Sequence, residues 1–221
     1  MPATRPPPGR SAAHAVRIQG GRWKRTPLAV AEAEGLRPTP NRVRETLFNW
    51  LGQDLSGWLC IDLYAGSGAL GLEAASRGAS QVWLYDTAPR AVRNIEAVIT
   101  RLQAETVCQV RRRDALAALH EHAEQSVDLV FIDPPFARGD PQAAPQPIAA
   151  RAALPRLRAR GLLYVEAPDA ATLDAVARLE VDELKRARAG AVWFALFSKR
   201  APSDPPADGA ADPTQSHHPA R

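Results

Sequence analysis

The chain has 221 residues, 45% of them hydrophobic and 24% charged, with a formal net charge of +4. That length fits one α/β domain with tails, and the hydrophobic share is ordinary for a globular fold. No apolar run approaches the roughly 20 residues of a membrane span, and the arginine-bearing start lacks the apolar centre of a secretory signal, so a cytoplasmic location is expected.

Residues 1–14 are rich in Pro, Ala and Arg and read as a disordered tail. Residues 15–52 form a basic extension. Residues 1–50 carry nine Arg/Lys against three Glu, a net of +6; the remainder carries 19 against 21, a net of −2. A basic arm on a slightly acidic core predicts a polyanion partner, although a merely solvated arm has the same composition. Val16-Arg17-Ile18-Gln19-Gly20-Gly21-Arg22-Trp23-Lys24 reads as a strand, a Gly-Gly turn and a second strand, so a short hairpin is expected over 15–30. It would present Arg17, Arg22, Lys24 and Arg25. Trp23 is read as a packing residue, with stacking on a base the alternative. Leu36-Arg37-Pro38-Thr39 opens a helix, capped by Thr39 with Pro40 in its first turn. Val43, Leu47 and Trp50 or Leu51 share a face, and Arg37, Arg42 and Arg44 are left for ligand or phosphate.

From Leu59 strands and helices alternate. Strands are predicted near 59–64, 81–86, 106–111, 127–132 and 161–167, and helices near 68–77, 88–103, 114–122, 144–158 and 169–177. The pattern predicts a mostly parallel sheet covered on both faces. Glu183–Arg188 and Ala191–Lys199 flank Ala189-Gly190 as a hairpin whose last strand runs antiparallel to the rest. Residues 53–200 thus form one domain, and 201–221 read as a second disordered tail. Cys60 and Cys108 fall in predicted strands as buried, reduced thiols. They lack metal-ligand spacing. His120 and His122 do not share a helix face, and His217 and His218 fall in the second tail, so no metal is expected.

Two stretches carry chemistry. The first is Leu59-Cys60-Ile61-Asp62-Leu63-Tyr64-Ala65-Gly66-Ser67-Gly68-Ala69-Leu70-Gly71, a strand, a glycine turn and a helix. Gly66 and Gly68 allow a sharp turn and close approach to a ligand, and the helix amides face an anionic group. Gly66-x-Gly68-x-x-Gly71 also fits a dinucleotide fingerprint, so the motif alone does not choose between cofactors. An unliganded βα turn is the plainer alternative. The next strand ends in Asp86, at the spacing of a ribose contact. The second stretch is Asp133-Pro134-Pro135-Phe136, after the apolar run Val127–Ile132. An acid and a free carbonyl can accept the protons of an exocyclic amine, and an aromatic can stack on its ring. The prolines stiffen the turn and leave its carbonyls unpaired. A strand-ending Pro-Pro turn without function is the alternative.

Together these stretches give the chain a specific likeness. In order, Val16–Trp23, Leu36-Arg37-Pro38-Thr39-Pro40-Asn41-Arg42-Val43-Arg44-Glu45-Thr46-Leu47-Phe48-Asn49-Trp50, Asp62–Ala74 and Asp133–Phe136 resemble the RsmD-type 16S rRNA guanine-N2 methyltransferases, which are class I S-adenosylmethionine-dependent enzymes. The likeness runs from about Val16 to Arg200, and the Arg-Pro-Thr helix start is its more diagnostic part. Asn41 stands where the family has Asp. Asp86, followed by Thr-Ala-Pro, stands where it commonly has Glu. Arg138–Ile148 is unusually rich in Pro and Ala.

The resemblance implies a seven-stranded Rossmann-like sheet and S-adenosyl-L-methionine as cofactor. It implies that Tyr64, Ala65, Gly66, Ser67 and Gly68 contact the cofactor, the Gly66-Ser67-Gly68 backbone holding its methionine end, with Asp62 favouring its ammonium. Asp86 takes the ribose hydroxyls and Asp114 the adenine amine, although Asp114 also reads as a helix N-cap. Asp133, Pro134, Pro135 and Phe136 form the catalytic motif. Arg17, Arg22, Lys24, Arg25, Arg37, Thr39, Arg42 and Arg44 face RNA. The implied partner is 16S rRNA within the small ribosomal subunit or an assembly intermediate, approached as a monomer, without membrane or metal. Three rivals stay open: another amine acceptor such as adenine N6 in DNA, an NAD-dependent oxidoreductase, and a non-catalytic RNA-binding assembly factor.

Overall fold

The computed structural model describes residues 16–29, 41–135 and 144–201. Its strands are β1 Leu59–Asp62, β2 Gln81–Asp86, β3 Cys108–Arg112, β4 Val127–Ile132, β5 Leu157–Ala167, β6 Val181–Ala189 and β7 Val192–Lys199. They form one seven-stranded sheet in the order β3-β2-β1-β4-β5-β7-β6. The pairings among β1 to β5 are parallel, and β7 pairs antiparallel with both β5 and β6. This is the mostly parallel sheet with a C-terminal antiparallel hairpin that the alternation predicts. All six residues of β4 are buried. A central parallel strand is covered on both faces, which is why Val127–Ile132 is nearly continuously apolar.

The helices are α1 Asn41–Leu51, α2 Ala69–Ser76, α3 Pro89–Leu102, α4 Ala115–Leu119, α5 Pro145–Ala153 and α6 Ala170–Ala177. One core joins α1, α2 and α3 to one face of the sheet through Phe48, Leu72, Ile95, Phe131 and Phe194. The other joins α4, α5 and α6 to the opposite face through Ile61, Val130, Ala150, Leu163 and Leu173. Cys60 and Cys108 are buried and free, and burial pushes the Cys108 thiol up to about 12.

Three expectations change. The helix expected over 144–158 stops at Ala153, and β5 begins at Leu157 rather than near 161. Pro155 has no amide to extend the helix, and the Arg156 amide closes the turn on the Ala153 carbonyl at 2.9 Å. The helix expected over 114–122 ends at Leu119; His122 turns back so that its Nε2 lies 2.9 Å from the Tyr85 hydroxyl. The N-terminal hairpin is only an isolated antiparallel bridge, Arg17 to Pro27. It is framed by Ile18 N to Thr26 O at 3.0 Å and Leu28 N to Val16 O at 2.8 Å. Residues 22–25 form a turn instead of a second strand, because the Gly20-Gly21 pair is used for docking on α2 and the chain reverses after it. Val16, Ile18 and Leu28 sit in the same core as α1 and α2. The expected tail over 1–14, the loop with Arg37 and Thr39, Phe136, and residues 202–221 lie outside the described residues.

Candidate active site

In the sheet order, β2 and β3 lie to one side of β1, and β4 and β5 lie to the other. The crevice outside the carboxyl ends of β1 and β4 is therefore the topological switch point where open α/β sheets bind ligands. Asp62 closes β1, Asp86 closes β2, and Asp133 follows β4.

The turn after β1 is shaped by glycines and held by its neighbours. Gly66 and Gly68 have φ of +54° and +78°, in the region that favours glycine. The Ala65 amide donates to the Tyr85 carbonyl at 2.9 Å, and the Gly68 amide to the Ala65 carbonyl at 2.6 Å. Asp86 Oδ2 accepts the Gly66 amide at 2.8 Å. A Cβ built on Gly66 would meet nothing closer than the Tyr64 carbonyl at 4.0 Å, so the turn opens outward there. Gly71 is different. A Cβ there would lie 2.8 Å from Leu84 Cδ2, so this glycine seats α2 against β2.

Asp62 is 1% exposed. Its Oδ2 accepts the Gly71 amide at 3.0 Å, while its Oδ1 has no hydrogen-bond partner. Burial pushes its carboxyl up to about 7; the Asp133 and Asp86 charges add to this, and the Gly71 and Tyr64 amides oppose it. A buried carboxylate with a vacant acceptor oxygen suits a cationic ligand group. Tyr64 and Ser67 are half-buried on the same turn. Burial, then the nearby Asp114 charge, push the Tyr64 hydroxyl up to about 12. Asp114 caps α4, its Oδ1 accepting the Leu116 and Ala117 amides at 2.9 and 3.3 Å. It also lines an open cleft of about 340 Å³ with Thr87, Arg112, Arg113 and Ala117. The ribose candidate Asp86 ends β2, and the adenine candidate Asp114, just beyond the neighbouring β3, lines the cleft.

Asp133 is half-buried, Pro134 buried and Pro135 exposed. The Asp133 charge acts on both Asp62 and Tyr164, so it lies near both. The Tyr164 hydroxyl donates to Glu166 Oε1 at 2.8 Å. This buried pair lies on the neighbouring strand β5; two polar ends within the otherwise apolar stretch Leu162–Ala167 are its signal in the sequence.

Arg17, Arg22, Lys24, Arg25 and Arg42 are exposed. Arg44 is not. It is fully buried, donating to the Arg17 carbonyl at 3.0 Å and to Asn41 Oδ1 at 2.7 Å, with Glu73 at 3.8 Å. Burial holds its guanidinium below the usual value, against the pull of Glu73, Glu45 and Glu166. Arg44 is therefore an internal tie rather than a phosphate contact. The signal was present: Leu47, Phe48 and Leu51 follow at helical spacings of three, four and seven, which puts Arg44 on the apolar stripe. Asn41 is the side chain that receives it.

The family described as Conserved hypothetical protein 95 matches residues 16–198. The chain belongs to this family. Relatives include the Ribosomal RNA small subunit methyltransferase D of Escherichia coli (strain K12), 40% identical over 132 residues, covering 60% of this chain and 66% of the relative. The protein of the same name from Haemophilus influenzae is 39% identical over 123 residues, covering 55% of this chain and 64% of the relative. The matched stretch thus spans slightly less than two thirds of these relatives' length. A solved structure described as "Putative methyltransferase yhhF from Escherichia coli" is 34% identical, with a TM-score of 0.71. It covers 84% of this chain and 98% of that one. The fold is that of a class I, Rossmann-like methyltransferase. Among the described residues no group of three or more His, Cys, Asp or Glu could hold a metal, and no helix is long and apolar enough to cross a membrane.

Proposed function

We propose that this protein transfers a methyl group from S-adenosylmethionine to the exocyclic N2 of a guanine in 16S rRNA. The observation that carries the reading is the convergence of Asp62 and Asp133 at the switch point beside an outward-opening glycine turn, with Asp62 Oδ1 vacant. The names of the relatives support methylation of small-subunit RNA.

The residues fit the cofactor. Asp62 would pair with its ammonium, and the Gly66-Ser67-Gly68 backbone would hold the carboxylate end. Asp86 would accept from the ribose hydroxyls and Asp114 from the adenine amine. Bound there, S-adenosylmethionine supplies an electrophilic methyl group. The lone pair of guanine N2 is delocalised into the ring, so the protein must localise and aim it. Asp133 and the Pro134 carbonyl would accept the two N–H bonds, and Phe136 would stack on the base. The N2–CH3 bond would form as the S–CH3 bond breaks, and the proton that N2 then loses would pass to Asp133; positioning and preorganised acceptors carry the rate without a covalent intermediate. A paired base cannot enter such a pocket, so the target is unpaired or flipped out. Arg17, Arg22, Lys24, Arg25 and Arg42, together with Arg37 and Thr39, would contact phosphates and set affinity and salt dependence.

The test is mass spectrometry of rRNA nucleosides from a strain lacking the protein. Loss of one N2-methylguanosine from 16S rRNA is expected. A lost N6-methyladenosine, or an unchanged nucleoside profile, would sink the reading in favour of another acceptor or a non-catalytic role. Binding of NADH in preference to S-adenosylhomocysteine would point to an oxidoreductase instead.

A further inference from the structure

The N-terminal segment, residues 16–29, is seated on α2 through one buried carboxylate. Glu73 is fully buried. Its Oε2 accepts the Gln19 amide at 2.6 Å, and its Oε1 accepts the Gly20 amide at 2.8 Å. Arg77 reaches Oε1 through Nε at 2.8 Å and Nη2 at 2.7 Å. The buried Arg44 lies 3.8 Å from Oε2. Close by, Ser76 Oγ donates to the Gly20 carbonyl at 2.6 Å and accepts the Trp23 amide at 2.9 Å. The Ser76 carbonyl accepts the Arg22 amide at 2.7 Å. The approach is so close that a Cβ on Gly21 would lie 1.8 Å from the Ser76 carbonyl oxygen.

The other end of the same helix belongs to the crevice. Gly68 is the N-cap of α2, and Asp62 holds the Gly71 amide. Glu73 is the fifth and Ser76 the eighth residue of α2, so five to eight residues join the cofactor cradle to the seat of the basic segment. At about 1.5 Å per residue this strut is roughly 8 to 12 Å long. Arg22, Lys24 and Arg25 are exposed on the segment it carries.

We infer that Glu73 is a positioning residue for the acceptor RNA, fixing the register of the basic segment against the cofactor cradle. Phosphates gripped by Arg22, Lys24 and Arg25 then stand at a set distance from Asp133. The inference rests on the methyl-transfer reading above. An apolar seat would bury the segment but leave it free to slide. A carboxylate that accepts two successive backbone amides and a guanidinium fork admits one register. Replacing it with an amide turns one acceptor oxygen into a donor that faces other donors.

The test uses the full chain, S-adenosylmethionine, and small-subunit particles from a strain lacking the protein. Glu73→Gln should raise KM for the particles roughly tenfold, with kcat and S-adenosylhomocysteine affinity within about twofold of wild type. Ser76→Ala should move KM in the same direction by less, and it carries the comparison if Glu73→Gln does not fold. Wild-type KM in folded Glu73→Gln, or in Ser76→Ala if that variant must stand in for it, overturns the inference. So does a loss of S-adenosylhomocysteine affinity in step with KM, which marks a structural role only. A wild-type protein that leaves the particles unmethylated overturns the methyl-transfer reading, and the inference with it, before any variant is made.

Discussion

Asp86 holds the Gly66 amide with one carboxylate oxygen and the Ala88 amide with the other, both at 2.8 Å. One side chain thus ties the glycine turn after β1 to the start of α3. Each oxygen keeps a further lone pair, so the same carboxylate can still accept from a ribose hydroxyl. Asp86→Ala should lower stability by about 1–3 kcal/mol, because two backbone donors lose their acceptor. It should also weaken S-adenosylhomocysteine binding by at least roughly tenfold. Thermal unfolding and calorimetry measure the two effects separately.

Asp62 makes the unliganded protein sensitive to pH. Its folded-state value, about 7, lies above the ordinary carboxylate value. The folded protein therefore holds a proton that the unfolded chain gives up at about pH 4. Its contribution to stability is most favourable in acid, declines as pH rises toward 7, and then levels off. An ammonium beside Oδ1 would favour the ionised form. Binding of S-adenosylhomocysteine should therefore release a proton below pH 7 and tighten as pH rises through it. Calorimetry in buffers of different ionisation enthalpy reads the proton, and Asp62→Asn should abolish both trends.

Arg42 and Arg44 lie two apart on α1 and should behave oppositely. Arg44→Met removes a buried cation beside a buried carboxylate and should cost about 3–5 kcal/mol. Arg42→Ala changes an exposed side chain and should alter stability by less than about 0.5 kcal/mol. It should instead weaken RNA binding and lower the salt slope by about one. Denaturant melts and filter binding across a salt series distinguish the two.

Asp133→Ala should abolish methyl transfer while leaving rRNA binding intact, since the phosphate grip lies elsewhere. The checks are incorporation of labelled methyl groups and binding of the same RNA. Methylation at the wild-type rate in this variant would end the mechanism proposed for the Asp-Pro-Pro-Phe motif.

What could be read from the chain depended on how local its physics is. Val127–Ile132 announced a buried strand because burial on both faces requires an apolar run. Gly66 and Gly68 announced a turn because their positive φ excludes most side chains. Gly20-Gly21 misled because a two-residue hairpin turn and a close docking contact use the same dipeptide. Its partner, Ser76, lies 56 residues from Gly20. Arg44 misled because charge was read without its helical face. The vacant oxygen of Asp62 could not be seen at all, since it depends on how three strand ends and a helix converge.

The position of β7 also dictates when this molecule can be finished. Among the described residues it is the last strand, yet it lies between β5 and β6. A nascent chain that has emerged only through Ala189 has an open edge along β5 and a β6 with no neighbour to pair with. Trp50 of α1 stacks on Phe194 of β7 at 5.2 Å, so α1 also waits for β7 to cover it. Such non-local closure is slow and leaves a pairing-competent edge exposed in the meantime. The sheet can therefore close only after translation has passed β7, and a chain cut short before Val192 should aggregate rather than fold.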